Sequence, residues 1–207
     1  MTKKVFNLII VDESGSMSII REQALAGMNE TLETIIKMQE LHKDLEQRVS
    51  LLTFDSNHCR FIFDNVGAAN THKLGHEDYR PSAATPLYDA IGIGISKTNA
   101  VASTDDNVLV TIITDGMENC SKEYNLRMIK NLIDKLKKQN WTFAFIGTDN
   151  LDVEGMAKDM GIANAMKFRQ TDKGTKEMFR KKHSSLIDYC GRIAKGEHIA
   201  DGSYFDE

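Results

Sequence analysis

The chain has 207 residues, 41% hydrophobic and 27% charged, a composition that suits one soluble globular domain with a core large enough to need no disulfide or metal staple. Its net charge of −4 and pI near 5.9 exclude a bulk electrostatic pull toward nucleic acid or an anionic membrane, and leave room only for a local basic patch. Cys59, Cys120 and Cys190 are few, odd in number and far apart, which fits reduced, buried thiols in a cytoplasmic protein better than a disulfide framework.

Lys3-Lys4 ahead of the apolar run Val5 to Val11 has the order of a signal peptide. However, Asn7 interrupts the run, Asp12-Glu13 ends it, and no small-residue cleavage pattern follows. No segment reaches the length of a membrane-spanning helix, so a cytoplasmic location is expected. The run reads as a central strand covered on both faces. Asp12-Glu13-Ser14-Gly15-Ser16 comes directly after it. If the chain stays extended, Asp12, Ser14 and Ser16 point the same way, and Gly15 permits a tight turn beside them. One carboxylate with two hydroxyls suits Mg²⁺ or Mn²⁺ and offers nothing to zinc. The competing reading is a helix N-cap at Ser16 or Ser18, and the pentapeptide alone fits the cap better.

From Ile19 to Leu41, Leu25, Met28, Leu32 and Ile35 recur at spacings of three and four and predict a helix. Val49 to Phe54 and Cys59 to Phe63, separated by Asp55-Ser56-Asn57-His58, read as a hairpin whose second strand is antiparallel. Residues 64–85 form a long loop that delivers Thr85-Pro86 to a helix over Leu87 to Asn99. In that loop His72 and His76, beside Glu77 and Asp78, would bind zinc only if helical, and ordinary exposed histidines are the simpler account. Gly92 and Gly94 fall inside the helix, where they predict close packing on the sheet and no nucleotide site. No G-x-x-x-x-G-K-[ST] sequence occurs.

Val108 to Thr114 is a second strongly apolar run, ending in Asp115-Gly116 as the first run ends in Asp12. Leu126, Ile129, Ile133 and Leu136 mark a helical face, and a strand from Trp141 to Ile146 follows. A helix at Val153 to Met160, a strand at Ala165 to Phe168 and a helix from Lys173 to Ala194 complete the series. Residues 1–195 thus read as one domain, and 196–207 as a frayed acidic tail. The alternation implies right-handed crossovers and a doubly wound α/β sheet of about six mostly parallel strands, with one antiparallel edge strand and helices on both faces. Ligands of such sheets bind where strand order reverses, at the carboxyl ends of the strands. Asp12 and Asp115 end the two strands best placed to flank that crevice.

Asp12-x-Ser14-x-Ser16, then Thr85 in Ala84-Thr85-Pro86-Leu87, then Asp115 in Thr114-Asp115-Gly116 together resemble a von Willebrand factor A domain with a metal-ion-dependent adhesion site. The order of elements resembles that family over nearly the whole chain. The resemblance implies Mg²⁺ (or Mn²⁺) held by the hydroxyls of Ser14, Ser16 and Thr85, with Asp12 and Asp115 acting mainly through water. It also implies that a partner protein supplies an Asp or Glu carboxylate to the open position. No catalytic residue, nucleic acid or membrane enters this account. Glu13, Met17, Glu118 and Asn119 neighbour the set and are candidates for its rim. The chain looks more like the stand-alone intracellular bacterial members than the secreted adhesive ones.

The rival from another class is a Mg²⁺-dependent phosphoryl-transfer hydrolase with Asp12 as nucleophile. It would need a cation and a general acid or base beside Asp12, and no Lys, Arg or His accompanies the five residues in sequence. The haloacid dehalogenase pattern also wants a second Asp where this chain has Ser14.

Overall fold

The computed structural model describes residues 3–205. Its strands are β1 (Lys3–Asp12), β2 (Leu45–Phe54), β3 (Cys59–Gly67), β4 (Asn107–Thr114), β5 (Trp141–Thr148) and β6 (Asn164–Phe168). Its helices are α1 (Arg21–Leu41), α2 (Leu87–Asn99), α3 (Leu126–Leu136), α4 (Val153–Met160) and α5 (Asp172–Ala194). The strands form one sheet in the order β3-β2-β1-β4-β5-β6, parallel throughout except for the β2–β3 pair.

Side-chain alternation along β1 explains the layers. Val5, Ile9 and Val11 face a core shared with α1 and α5, whereas Phe6, Leu8 and Ile10 face a second core closed by α2, α3 and α4. The strand is apolar on both sides because helices cover both. Asn7 is the exception, and its amide stays buried by donating to Gln47 Oε1 at 2.9 Å and to the Arg48 carbonyl at 3.2 Å. The two glycines of α2 do different work. A Cβ on Gly94 would come within 3.1 Å of Ile10 on the sheet, and one on Gly92 would strike the Tyr124 ring.

Strand order reverses between β1 and β4, which puts Asp12 and Asp115 at adjacent strand ends. The hairpin is longer than its apolar runs: β2 begins at Leu45 and β3 continues to Gly67. Residues 199–205 are not frayed. Tyr204 is buried against Tyr189, its N–H donates to Asn164 Oδ1, and Arg192 donates to the Ser203 carbonyl. An aromatic pair docks a segment whose polar composition suggested a loose end. The last two acidic residues, Asp206 and Glu207, lie outside the described residues. Only Cys190 of the three cysteines is buried, while Cys59 is exposed and Cys120 partly so, and all three are free. No helix of the described residues is long and apolar enough to cross a membrane.

Candidate metal centre

Asp12 is the last residue of β1, and its place in the alternation turns its side chain toward the α2 layer. The carboxylate is wholly buried. Oδ1 accepts the Ser14 N–H at 2.7 Å, and Oδ2 accepts the Thr114 hydroxyl at 2.5 Å. Ser14 remains extended (φ −69°, ψ 164°), but a short 3-10 helix over Gly15–Ile20 begins at once, so the alternation expected to aim Ser16 does not continue. Ser16 comes round on the helical turn instead. Its Oγ lies 3.3 Å from Ser14 Oγ and donates to Asp115 Oδ1 at 2.7 Å. The capping alternative is not realised, since neither the 3-10 helix nor α1 has a side-chain cap. Gly15 has no unusual φ, and a Cβ there would make only ordinary contacts with the 82–83 backbone.

Thr85 arrives on a loop laced to the strand ends. The Ser82 N–H donates to the Glu13 carbonyl at 2.8 Å, the Gly15 N–H to the Ala83 carbonyl at 3.1 Å, and the Tyr79 hydroxyl to the Asp12 carbonyl at 2.7 Å. Ala83 takes a positive φ of 56°, a conformation unfavourable for alanine that this lacing holds in place. From the other side Asn119 grips Thr85 twice, accepting its N–H at 2.9 Å and donating its own N–H to the Thr85 carbonyl at 3.2 Å. Gly116 makes the closest approach possible, because a Cβ there would sit 2.8 Å from Thr85 Oγ1 and 3.5 Å from Asp12 Oδ2. All five expected residues therefore meet at one place.

The electrostatics are those of two carboxylates whose partners among the described residues are all neutral donors. Burial pushes Asp12 up to about 6, against the opposing effect of the Thr114 and Ser14 hydrogen bonds, and the nearby Asp115 adds to the rise. Asp115 is raised as well, again by burial, with the bonds from Ser16 and Gln170 opposing. Gln170, from the turn after β6, donates to Asp115 Oδ2 and to the Ser16 carbonyl. Among the described residues no group of three or more His, Cys, Asp or Glu is arranged to hold a metal ion, and the donors here are two carboxylates and three hydroxyls. That set suits a hard cation of Mg²⁺ type. A divalent charge would also relieve the carboxylate pair. The residues present fit the group that the resemblance implies.

The four expected rim residues do structural work. Glu13 is wholly buried, turned away from the site, and holds the loop through His58 Nε2 at 2.9 Å, Arg60 Nη2 at 3.4 Å and the Arg80 N–H. Met17 lies in the core. Glu118 caps α2 by accepting the Tyr88 N–H at 3.0 Å, which also offsets the positive end of that helix beside the site. Asn119 is the clamp on Thr85. Ser16 and Asn119 are exposed, and so are two large apolar side chains of the same segments, Ile19 and Met117, at 67% and 65%. Sequence reading also missed Thr114 and Gln170, whose contacts with Asp12 and Asp115 span 102 and 55 residues. His72 rests edge-on against Phe63 and His76 faces Glu22 at 3.0 Å, so the two histidines form no metal pair.

A family model described as the von Willebrand factor type A domain matches residues 8–181. No curated protein matches the chain. Among solved structures, the chain is similar to the pilus adhesin SpaC from Lactobacillus rhamnosus GG in its open conformation, with TM-score 0.68, 14% identity, and 90% of this chain on 30% of that one. The PilB minor pilin from Streptococcus sanguinis gives 0.58 and 11%, covering 94% of this chain and 62% of the pilin. The SpRpn10 VWA domain gives 0.58 and 11%, with 88% and 95% covered. At these identities the likeness shows the fold alone. The chain spans less than two thirds of the pilin and under a third of the adhesin.

Proposed function

Because the chain belongs to the von Willebrand factor type A domain family, whose members are mostly interaction modules, we propose that it binds another protein through a divalent cation at the ends of β1 and β4. The observation that carries this reading is the convergence of buried Asp12 and Asp115 with the hydroxyls of Ser14, Ser16 and Thr85, with no cationic side chain among their hydrogen-bond partners. Ser14, Ser16 and Thr85 would hold Mg²⁺ or Mn²⁺ directly, and Asp12 and Asp115 would balance its charge through water. When bound, the ion supplies an electrophilic position for an Asp or Glu carboxylate of the partner.

The chain's own residues prepare that position. Thr114 and the Ser14 N–H fix the Asp12 carboxylate, Gln170 and Ser16 fix Asp115, and Asn119 fixes Thr85. Exposed Ile19 and Met117 give the face an apolar margin, which suits a partner whose carboxylate is flanked by apolar side chains. Three free cysteines suit a reducing compartment, and the cytoplasm is the proposed location.

The hydrolase alternative is less well supported, since both Asp12 oxygens accept hydrogen bonds from neutral donors and no Lys, Arg or His touches them. The test is capture of partners from native cytosol with Mg²⁺, with EDTA, and with Asp12→Ala as bait. Proteins retained only by the wild type with Mg²⁺ support the reading. Identical capture in all three arms contradicts it, as does Mg²⁺-dependent aryl phosphate hydrolysis that disappears in Asp12→Asn.

A further inference from the structure

A chain that is acidic overall carries one markedly basic face. Between residues 165 and 185, Lys167, Arg169, Lys173, Lys176, Arg180 and Lys181 are all exposed, against two acidic residues in the same stretch, Asp172 and Glu177. This face coincides with the outer edge of β6, which pairs with β5 on one side and with no strand of the described residues on the other.

The edge is also hollow. A groove of about 580 Å³ runs between β6 and α5, with Met166 and Phe205 among its walls and Lys167, Arg180 and Lys181 around it. It continues past Met166, Lys167 and Lys181 into a second hollow of about 290 Å³ that reaches Arg169 and Lys173 at the start of α5. The groove therefore combines three features: an open strand edge with backbone donors and acceptors, partly buried apolar side chains beside it, and a cationic margin.

We propose that the β6–α5 groove is a second docking surface, separate from the candidate metal centre, which takes an extended acidic segment of a partner protein as an added strand on β6. An edge strand supplies main-chain hydrogen bonds to such a segment, and alternate side chains then fall toward the groove or away from it. Carboxylates at the alternate positions meet Lys167 on one side and Arg180 on the other. Lys167 already holds Glu154 at 3.0 Å on the surface, so a partner carboxylate exchanges for or joins an exposed pair of low cost to open. Charge alone would also suit nucleic acid. The open strand edge and the Met166 and Phe205 side chains favour a peptide, because a phosphate backbone uses neither and no exposed aromatic ring offers a stacking platform there.

The probe is a fluorescent peptide of alternating glutamate and valine, followed by anisotropy in Mg²⁺ and in EDTA. The proposal predicts saturable binding that is the same in both, since the groove lies outside the five-residue centre. It further predicts at least about tenfold weaker binding to Lys167→Glu/Arg180→Glu, with Lys167→Gln/Arg180→Gln intermediate and the thermal midpoint of each variant near wild type. N-methylation of alternate peptide residues should abolish binding by removing main-chain donors. Equal affinity in the charge-reversed variant overturns the proposal. So does binding lost in EDTA, which would assign the carboxylates to the metal centre, or a single-stranded oligonucleotide that displaces the peptide. Unchanged binding by the N-methylated peptide overturns strand addition.

Discussion

Ser16 Oγ donates to Asp115 Oδ1 across 2.7 Å, joining residues 99 positions apart and closing the candidate centre on its exposed side. Ser16 is the exposed member of the pair and Asp115 is buried, so the bond ties a movable hydroxyl to a fixed carboxylate. Replacing the buried member removes a charge as well as a tether. Asp115→Ala should lower Mn²⁺ affinity more than Ser16→Ala does, with both variants folded. Calorimetric titration of the pair gives the ranking, and the opposite order would count against the assigned roles.

Thr114 acts on the site from behind. Its hydroxyl donates to Asp12 Oδ2 at 2.5 Å and accepts the Gly116 N–H at 3.1 Å. Thr114→Val keeps the shape and removes both bonds. Residues that orient ligands in this way contribute about 10–100-fold to metal affinity, and a loss in that range is expected. Titration of the folded variant at wild-type affinity would show that Asp12 needs no such support.

Gly116→Ala should damage the centre sterically. The new methyl would lie 2.8 Å from Thr85 Oγ1, so Thr85 or the 115–117 backbone must move. Such overpacking costs about 1–3 kcal/mol. Metal binding should fall along with stability in chemical denaturation, and an unchanged affinity would remove Thr85 from the ligand set.

Much of this was legible in the sequence, for identifiable reasons. α2, α3 and α4 fall on their expected bounds because Pro86 marks one start and because the 126–136 and 153–160 segments carry clean periodicity. Asp12, Ser14 and Ser16 were readable because they are nearly contiguous, and Thr85 and Asp115 because each adjoins a recognisable element boundary. The start of β2 was hidden by Glu46-Gln47-Arg48, whose polar groups are satisfied by Gln39, Asn7 and Asn65 from elsewhere in the chain. Glu13 and Glu118 looked like rim residues because carboxylates beside a site suggest exposure. Their partners, His58 and the Tyr88 N–H, lie 45 and 30 residues away, and no local pattern announces them.

Glu13 holds the Thr85 loop and faces away from the candidate centre. Its carboxylate faces His58 Nε2 at 2.9 Å, while His58 Nδ1 faces Asp55 Oδ1 at 2.9 Å, and Ser82 donates to the other Asp55 oxygen at 2.5 Å. Glu13 is buried while His58 and Arg60 are partly exposed, so its removal costs the hydrogen bonds it accepts, about 1–3 kcal/mol. Glu13→Ala should lose stability on that scale and become cleavable between residues 76 and 84. Limited proteolysis that leaves this loop as resistant as in wild type would contradict the clamp.

Lys182 gives stability a pH dependence of known sign. It is buried between α5 and α1 with Thr31 Oγ1 at 3.2 Å and neighbouring His183, and burial lowers its amine from 10.5 to about 7. Between these values the unfolded chain holds a proton that the folded chain has released, so this residue makes stability rise with pH across that window. Below about pH 7 the amine is charged in both states and its burial penalty is fully present. Above 10.5 it is neutral in both and the penalty is gone. Lys182→Met should therefore stabilise the protein at pH 6, by about 1–4 kcal/mol if it behaves like other buried charges replaced by apolar groups, and by less at pH 9. Urea denaturation at the two pH values measures the difference, and a gain that does not shrink would assign the effect to packing alone.

Calorimetric titration of Mg²⁺ and Mn²⁺ into wild type, Asp12→Ala and Thr85→Ala reads whether Asp12, Ser14, Ser16, Thr85 and Asp115 hold a divalent cation. One saturable site is expected in the wild type and much weaker binding in both variants, with circular dichroism unchanged. Three equal isotherms, or no heat from the wild type with either ion, would contradict it.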